Sequence, residues 1–345
     1  MLGPLITFAH RLSLDDAREM LGMATYALIL YAPLLFLALC AVLYAAFGAF
    51  ALGFVLFAYL CSCLATMHPR EKPWRWLRLS RAWTWLRRGV RGKILIDGEI
   101  PEGGHGSCVL GFHPHGTIPL TIGWLVGSDE IESFLGPSQA ADRLRFLVSS
   151  LLFYLPFLRD ICVGDGRLVR ATKGLFADVL RTGRSVILCP GGVREMYMAQ
   201  GSPGEDRVLR VLTRHKGFVR CALEHGYPLV PVLSFGEQEL LDVSRPFPGL
   251  EGWVKRGLGR AVGVPWFSGR WGLPIPRDVP VTVVIGQPIR IEDCDGLGRA
   301  PSDETVDKYH GMFYAALEDL FNRYKDHPDV GVRYSRIELC PVGEP

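Results

Sequence analysis

Charge is missing from 47 consecutive residues, Leu21 to Met67. A helix needs about 20 apolar residues to cross a bilayer, so the run is about twice that length. A single buried helix of a soluble domain does not stay uncharged for so long. Pro33, Gly48 and Gly53 interrupt the run, which therefore reads as two closely spaced membrane helices or a deep re-entrant hairpin. Its length and late start exclude a cleaved signal peptide.

Other absences narrow the class. The nine cysteines contain no CxxC pair and no zinc-ribbon spacing. Structural zinc and a disulfide framework are set aside, and a reduced, cytosol-facing catalytic part is expected. A net charge of +3 over 345 residues excludes a nucleic-acid binder dominated by basic surface. Half the residues are hydrophobic, 49%, and mean hydropathy is +0.19, so neither disorder nor coiled coil describes the whole chain. There is no internal repeat.

Acid is then almost absent from His68 to Lys93, where Glu71 stands alone against Arg70, Lys72, Arg75, Arg78, Arg81, Arg87, Arg88, Arg91 and Lys93. Trp74, Trp76, Trp83 and Trp85 are interleaved. Tryptophan favours the headgroup region and basic residues favour the cytosolic side. The expected organisation is a cytosolic segment 1–20, a membrane hairpin 21–67, a basic interfacial segment 68–93 and a cytosol-facing catalytic domain 94–345.

From Lys93 onward the chain alternates between strand-like and helix-like stretches. Lys93 to Ile96, Cys108 to Phe112, Ser185 to Cys189, Tyr227 to Phe235 and Val281 to Ile285 read as strands. Arg167 to Arg181, Phe218 to Glu224 and Asp303 to Lys325 read as helices, the last with Val306, Tyr309, Phe313, Leu317 and Leu320 on one face. The expected fold class is α/β, a mixed, largely parallel sheet flanked by helices. Leu147 to Leu158, broken by Pro156, is apolar but short for a span; core, interfacial element and acyl tunnel all fit it. Gly236 to Asp278, rich in Gly, Pro, Trp and Phe, reads as an excursion over the membrane face.

Two motifs come directly after predicted strands: Gly111-Phe112-His113-Pro114-His115-Gly116 and Cys189-Pro190-Gly191-Gly192-Val193-Arg194-Glu195. In open α/β sheets the carboxyl ends of strands converge on the ligand crevice, so the two can meet. Histidine accepts a proton near neutral pH. A carboxylate fixes its tautomer, and a Gly-Gly turn can present N–H groups to an oxyanion. Together these are the equipment for acyl transfer to a hydroxyl. The competing readings are a metal bound by the two histidines, which lacks an evident third ligand, a covalent role for Cys189, and purely structural turns.

These blocks resemble the diacylglycerol acyltransferase 2 family, which includes monoacylglycerol and wax-ester acyltransferases. His113 to Gly116 matches its HPHG block and Pro190 to Glu195 its PGGxxE block. Arg214-His215-Lys216-Gly217-Phe218 through Val230-Pro231-Val232 and Phe235-Gly236-Glu237 match a third, and Val306 to His310 through Leu320-Phe321 a fourth. The resemblance spans roughly residues 25 to 325. It implies a glycerolipid-acyltransferase-like sheet behind the hairpin, in the endoplasmic reticulum membrane and on lipid droplets. The implied reaction moves a fatty acyl group from acyl-CoA, a substrate and not a cofactor, to diacylglycerol. No metal or redox cofactor is implied.

His115, with His113 as the alternative base, is expected to take the proton, oriented by Glu195, with Gly116, Gly191 and Gly192 holding the oxyanion or making the turn. His113 is expected to shape the turn or contact the acyl-CoA. Arg214, Lys216, Arg167 and Lys173, with Arg170 and Arg220, are candidates for the CoA phosphates. The chain departs from the family in several places. The Asp expected five residues after the histidine in the related glycerolipid acyltransferases is absent, with Ile118 and Leu120 in its place. An upstream aromatic-Phe-Pro tripeptide is not evident, Val193 and Arg194 replace small residues, and Leu43 replaces the Asn of an FLxLxxxN pattern begun at Phe36. Rival readings are a monoacylglycerol, long-chain alcohol or sterol acceptor, a non-catalytic membrane scaffold, and a metal-dependent hydrolase.

Overall fold

The computed structural model describes residues 13–65, 74, 80–98, 107–136, 143–198, 207–244, 266–292 and 300–341. Arg70, Lys72, Arg75, Trp76 and Arg78 of the basic segment lie outside them.

Helix α1 (Leu14–Ala65) opens on a capping box. The Asp16 N–H donates to Ser13 Oγ at 3.1 Å, and the Ser13 N–H donates to the Asp16 carboxylate at 3.0 Å. At Gly48 the backbone leaves the helical region, with φ 76 and ψ −175. The chain folds back there: the rings of Phe36 and Tyr59, on opposite sides of Gly48, lie 5.3 Å apart. Only glycine takes this φ without strain. The apolar stretch Tyr31–Leu64 thus forms two arms that reverse at Gly48. Residues before Tyr31 pack on the domain, where Met23 is buried and a Cβ on Gly22 would meet the Leu86 nitrogen at 2.7 Å. Leu86 belongs to α2 (Arg81–Gly89), which carries Trp83 and Trp85.

The main sheet has seven strands: β1 (Lys93–Ile96), β2 (Val109–His113), β3 (Leu144–Val148), β4 (Leu168–Arg170), β5 (Ser185–Leu188), β7 (Leu229–Phe235) and β10 (Thr282–Ile285), in the order β1-β10-β7-β2-β5-β3-β4. The five strands from β7 to β4 are mutually parallel, and β10 runs against β7. Alternation along the strands feeds two cores. Val109 faces α6 (Lys173–Arg181), α8 (Gly217–His225) and α9 (Asp303–Tyr324), whereas Leu110 and Phe112 face α2, α3 (Leu120–Leu125) and α4 (Asp129–Leu135). Two small sheets accompany it: β6 (Val208–Leu212) with β11 (Arg336–Cys340), parallel, and β8 (Asp242–Ser244) with β9 (Trp266–Ser268), antiparallel.

The expected helix over Arg167–Arg181 is divided. Its first residues form β4, and α6 starts where the Thr172 hydroxyl accepts the Leu175 N–H at 3.4 Å. Leu147–Leu158 is also divided. It ends β3, makes a tight turn over Ser150–Phe153 and enters α5 (Leu158–Asp165), leaving Leu151, Tyr154 and Phe157 exposed. Of the Gly236–Asp278 excursion, residues 245–265 lie outside the described residues; the remainder carries β8, β9 and a short turn with Trp271 exposed.

Candidate active site

The two motifs meet because β2 and β5 are parallel neighbours, Gly111 opposite Leu188, so their carboxyl ends share one edge. His113 is the last residue of β2 and is fully buried. Its Nδ1 lies 2.8 Å from Glu195 Oε1, and its Nε2 faces the Tyr314 hydroxyl at 3.3 Å. Glu195 comes from α7 (Gly192–Met198), the short helix after β5, and is itself fully buried. Its Oε1 accepts the Leu212 N–H at 3.0 Å, and its Oε2 accepts the main-chain N–H of His115 at 3.0 Å. Burial alone would raise this carboxyl. The His113 ring against it, the nearby His115 and the Leu212 N–H hold it below the usual carboxylate range.

The expected side-chain pair of Glu195 with His115 is therefore corrected. His113 still lies within the strand and faces Glu195, while His115 lies beyond the strand end and gives Glu195 only its backbone. The His115 ring bonds elsewhere, Nδ1 to the Gly116 carbonyl at 2.8 Å. A carbonyl only accepts, so Nδ1 carries the proton and Nε2 keeps its lone pair. His115 is half-buried. Burial lowers its pKa below the ordinary histidine value, against the raising effect of Glu195, so the ring is neutral at physiological pH.

The glycines have distinct duties. A Cβ on Gly191 would collide with the Glu195 carboxyl, so Gly191 makes room for the pair. Gly192 stands at φ +57, and its N–H closes a turn on the Cys189 carbonyl at 3.2 Å. Of the two roles expected for it, oxyanion donor or turn, this is the turn. Gly116, at φ +61, packs against Glu237, whose Cγ would lie 2.8 Å from an added Cβ.

Three partners of the site were not singled out from sequence for such roles. Tyr314 caps the His113 Nε2, and its ring lies 4.8 Å from His310 one turn earlier on α9. The His310 and Tyr314 spacing, four residues on the buried side of a helix, was the available signal. Glu237, after β7, grips the far end of the histidine loop. Its Oε1 accepts the Leu120 and Thr121 N–H groups at 2.7 and 3.3 Å, and its Oε2 bonds the Thr121 hydroxyl. Burial pushes its carboxyl up to about 7. Glu237→Gln preserves the acceptor oxygen and is expected to fold and melt like the parent. Glu237→Ala strands two buried N–H groups and is expected to lose about 1–3 kcal/mol for each in thermal unfolding.

The expected phosphate-binding cations divide. Arg167 is excluded: it is buried and held by Asp165 through two bonds, 2.8 and 2.7 Å. Removing it takes the guanidinium from a buried carboxylate. Arg167→Ala should therefore cost about 3–5 kcal/mol of stability and leave the KM for acyl-CoA unchanged, which thermal melts and initial rates would check. Arg170 lies over Phe153 and Tyr154 at 5.1 and 5.5 Å. Lys173 is exposed, 3.5 Å from Glu224. Lys216 pairs with Asp307 at 2.6 Å and Arg220 with Asp303, both on the first turns of α9. Arg214 is exposed and has no ion pair among the described residues.

Cys189 is not a waiting thiolate. Burial, with Glu195 and Glu237 nearby, pushes its thiol well above the ordinary value. Among the described residues no group of three or more metal-ligating side chains is present. What the edge offers is a neutral histidine with a free lone pair beside a rigidly held glutamate, carried on a mixed α/β sheet behind an apolar helix. A neutral imidazole held in this way has the chemistry of a proton acceptor.

Similarity to known proteins gives the family. The diacylglycerol acyltransferase family profile matches residues 42–337, and the chain belongs to that family. It is 33% identical to human 2-acylglycerol O-acyltransferase 3 over 73% of each chain. It is 29% identical to diacylglycerol O-acyltransferase 2 of Xenopus tropicalis over 72% of this chain and 69% of that one. The corresponding values for human acyl-CoA wax alcohol acyltransferase 2 are 30%, 63% and 65%. Among solved structures, the lysophosphatidic acid acyltransferase PlsC of Thermotoga maritima aligns over 88% of this chain and 97% of its own at TM-score 0.39 and 16% identity.

Proposed function

We propose that this enzyme makes triacylglycerol, moving a fatty acyl group from acyl-CoA to the free hydroxyl of diacylglycerol. The observation that carries the mechanism is the His115 ring, fixed through Nδ1 on the Gly116 carbonyl with Nε2 left to accept a proton. In this reading Nε2 takes the acceptor's hydroxyl proton as the oxygen attacks the thioester carbon. Main-chain N–H groups of Gly116 and Gly191 stabilise the tetrahedral oxyanion. The carbon–sulfur bond then breaks, and the departing CoA thiolate recovers the proton from His115. Glu195 is a positioning residue: it pins the His115 backbone and fills the space behind it through His113. His113 shapes the turn.

Arg214 and Lys216, beside the first turns of α9, receive the CoA phosphates. Arg214→Ala with Lys216→Ala is expected to raise the KM for acyl-CoA about a hundredfold or more with kcat little changed, since each charge-assisted bond to phosphate contributes about 1.5–3 kcal/mol. The anchor is the hairpin, with both flanks cytosolic, in the endoplasmic reticulum membrane and on the droplets that receive the product.

A second reading takes monoacylglycerol as acceptor, and the 33% identity to a human 2-acylglycerol acyltransferase favours it. Microsomes from cells without neutral-lipid synthesis, given labelled oleoyl-CoA with diacylglycerol, monoacylglycerol or hexadecanol, decide between them. Label in triacylglycerol from added diacylglycerol supports the proposal. Label confined to diacylglycerol or wax ester changes the acceptor, and no labelled product with the protein present returns the chain to a scaffold.

A further inference from the structure

Strands β2, β3, β4, β5 and β7 end on one edge of the sheet. The loops after β2 and β5 carry His115 and Glu195. The segments leaving β3 and β7 at the same edge carry side chains of another kind. After β3, Leu151, Tyr154 and Phe157 are exposed; beyond β7, Trp266, Trp271 and Leu273 are exposed. Both groups stand at the base of the hairpin. The Phe157 ring lies 5.6 Å from Phe36 and 6.4 Å from Tyr59. Trp266 lies edge-on to Tyr31 at 5.8 Å, and the Phe267 carbonyl accepts the Tyr31 hydroxyl at 2.9 Å. Arg159 donates to the Cys63 carbonyl at 2.6 Å on the returning arm.

The backbone gives an independent sign. Three non-glycine residues have positive φ among the described residues, and two of them are Phe157 (φ 63) and Trp271 (φ 57). Bulky residues avoid this region because the Cβ crowds the carbonyl. Such strain persists where a side chain must be aimed: Phe157 is turned onto the hairpin rings, and Trp271 is turned outward, where water gives an aromatic ring no reason to point. Aromatic rings do prefer the bilayer interface. Arg170, stacked over Phe153 and Tyr154, sets a cation at the rim of the same patch, where lipid headgroup phosphates lie.

We infer that this edge of the sheet is a second membrane contact: the 150–157 and 266–273 loops insert into the leaflet beside the hairpin, so that the active site opens toward lipid. The occupant of the patch is one lipid leaflet, because the patch is continuous with the base of an apolar hairpin that runs from Tyr31 to Leu64. The inference rests on reading that hairpin as the membrane anchor. It accounts for acceptor delivery: a diacyl acceptor diffusing in the leaflet arrives at the edge that holds His115.

Photocrosslinking of the full chain in microsomes tests this, with benzoylphenylalanine placed at position 154, 271, 54 or 181. Phe54 lies on the hairpin, and Arg181 is exposed at the end of α6, on the opposite edge of the sheet. Lipid adducts at 154, 271 and 54 but not at 181 are expected. Adducts at 54 without 154 and 271 overturn the inference and leave the anchor intact. Absence at 54 overturns the anchor reading beneath it, and crosslinks from 154 or 271 to a second copy of the chain make the patch a protein interface instead. Acyl transfer by the unsubstituted chain, assayed in the same microsomes, reports on the catalytic reading separately. In a second arm, Tyr154→Asp with Trp271→Asp should stay carbonate-resistant. It should raise the KM for bilayer-borne acceptor at least about tenfold, with turnover of a soluble short-chain acceptor unchanged. An unchanged KM overturns the inference.

Discussion

Replacing His115 with alanine is expected to lower kcat about 10²- to 10⁴-fold, the usual contribution of a positioned general base, while the protein stays folded and membrane-bound. The ring is half-buried, and among the described residues it bonds the carbonyl of the next residue, so its removal strands no buried donor there. Rates with saturating oleoyl-CoA and diacylglycerol, beside a thermal melt, separate the two effects. His113→Ala should behave differently, because it leaves the buried Glu195 carboxylate without its ring partner and lowers the melting temperature as well. The pH profile carries the same assignment. Burial lowers the His115 pKa, so the neutral, proton-accepting form persists below the ordinary value of about 6.5. The acid limb of kcat/KM is expected below that pH, and it disappears from the residual activity of His115→Ala.

Glu195→Ala is expected to be the most damaging single change for folding and activity together. Its carboxylate receives three donors: the His113 ring, the His115 N–H and the Leu212 N–H. Each buried donor left without a partner costs about 1–3 kcal/mol, and three together approach the whole stability of a typical domain, about 5–15 kcal/mol. Glutamine is no remedy. All three partners donate, so one of them would face the amide N–H₂ in place of an oxygen. Gly191→Ala should reproduce part of the loss, because the new methyl occupies the space of the carboxyl.

The lowered carboxyl sets the sign with pH. Its stabilising effect is fully present above the unfolded value of about 4.3. It is lost as pH falls through the lower folded value. Acid unfolding of the parent against Glu195→Gln, tracked by circular dichroism in detergent, checks this: the parent should lose its advantage only on the acid side.

The meeting of the two motifs was readable in the chain because parallel strands deliver their carboxyl ends to one edge whatever the intervening length. The long apolar helix was readable from its uncharged run, and its reversal from Gly48 within it. Which histidine turns toward Glu195 was not readable. It depends on β2 continuing through His113, one residue beyond the last apolar position, Phe112. Arg167 looked like a phosphate ligand because nothing in a linear pattern marks Asp165, two residues earlier, as its buried partner. The β6 and β11 pair was missed for a related reason: Arg210 interrupts a five-residue strand, and its partner strand comes from the far end of the chain. The single helix predicted over Arg167–Arg181 failed at Thr172, where a local cap outweighed an approximate helical spacing.

Helix α9 places Tyr314 over His113 from 201 residues away in the chain. At about 5–20 residues per second of synthesis, that separation delays completion of the site by on the order of ten seconds or more after His113 has been made. The segment that turns back at Gly48 has by then long left the ribosome. Under the proposed function, birth order therefore makes the apolar arms available to lipid before the histidine loop receives its roof. A nascent chain stalled before α9 lacks that roof, so the site at His113 is completed only after the apolar arms have been made.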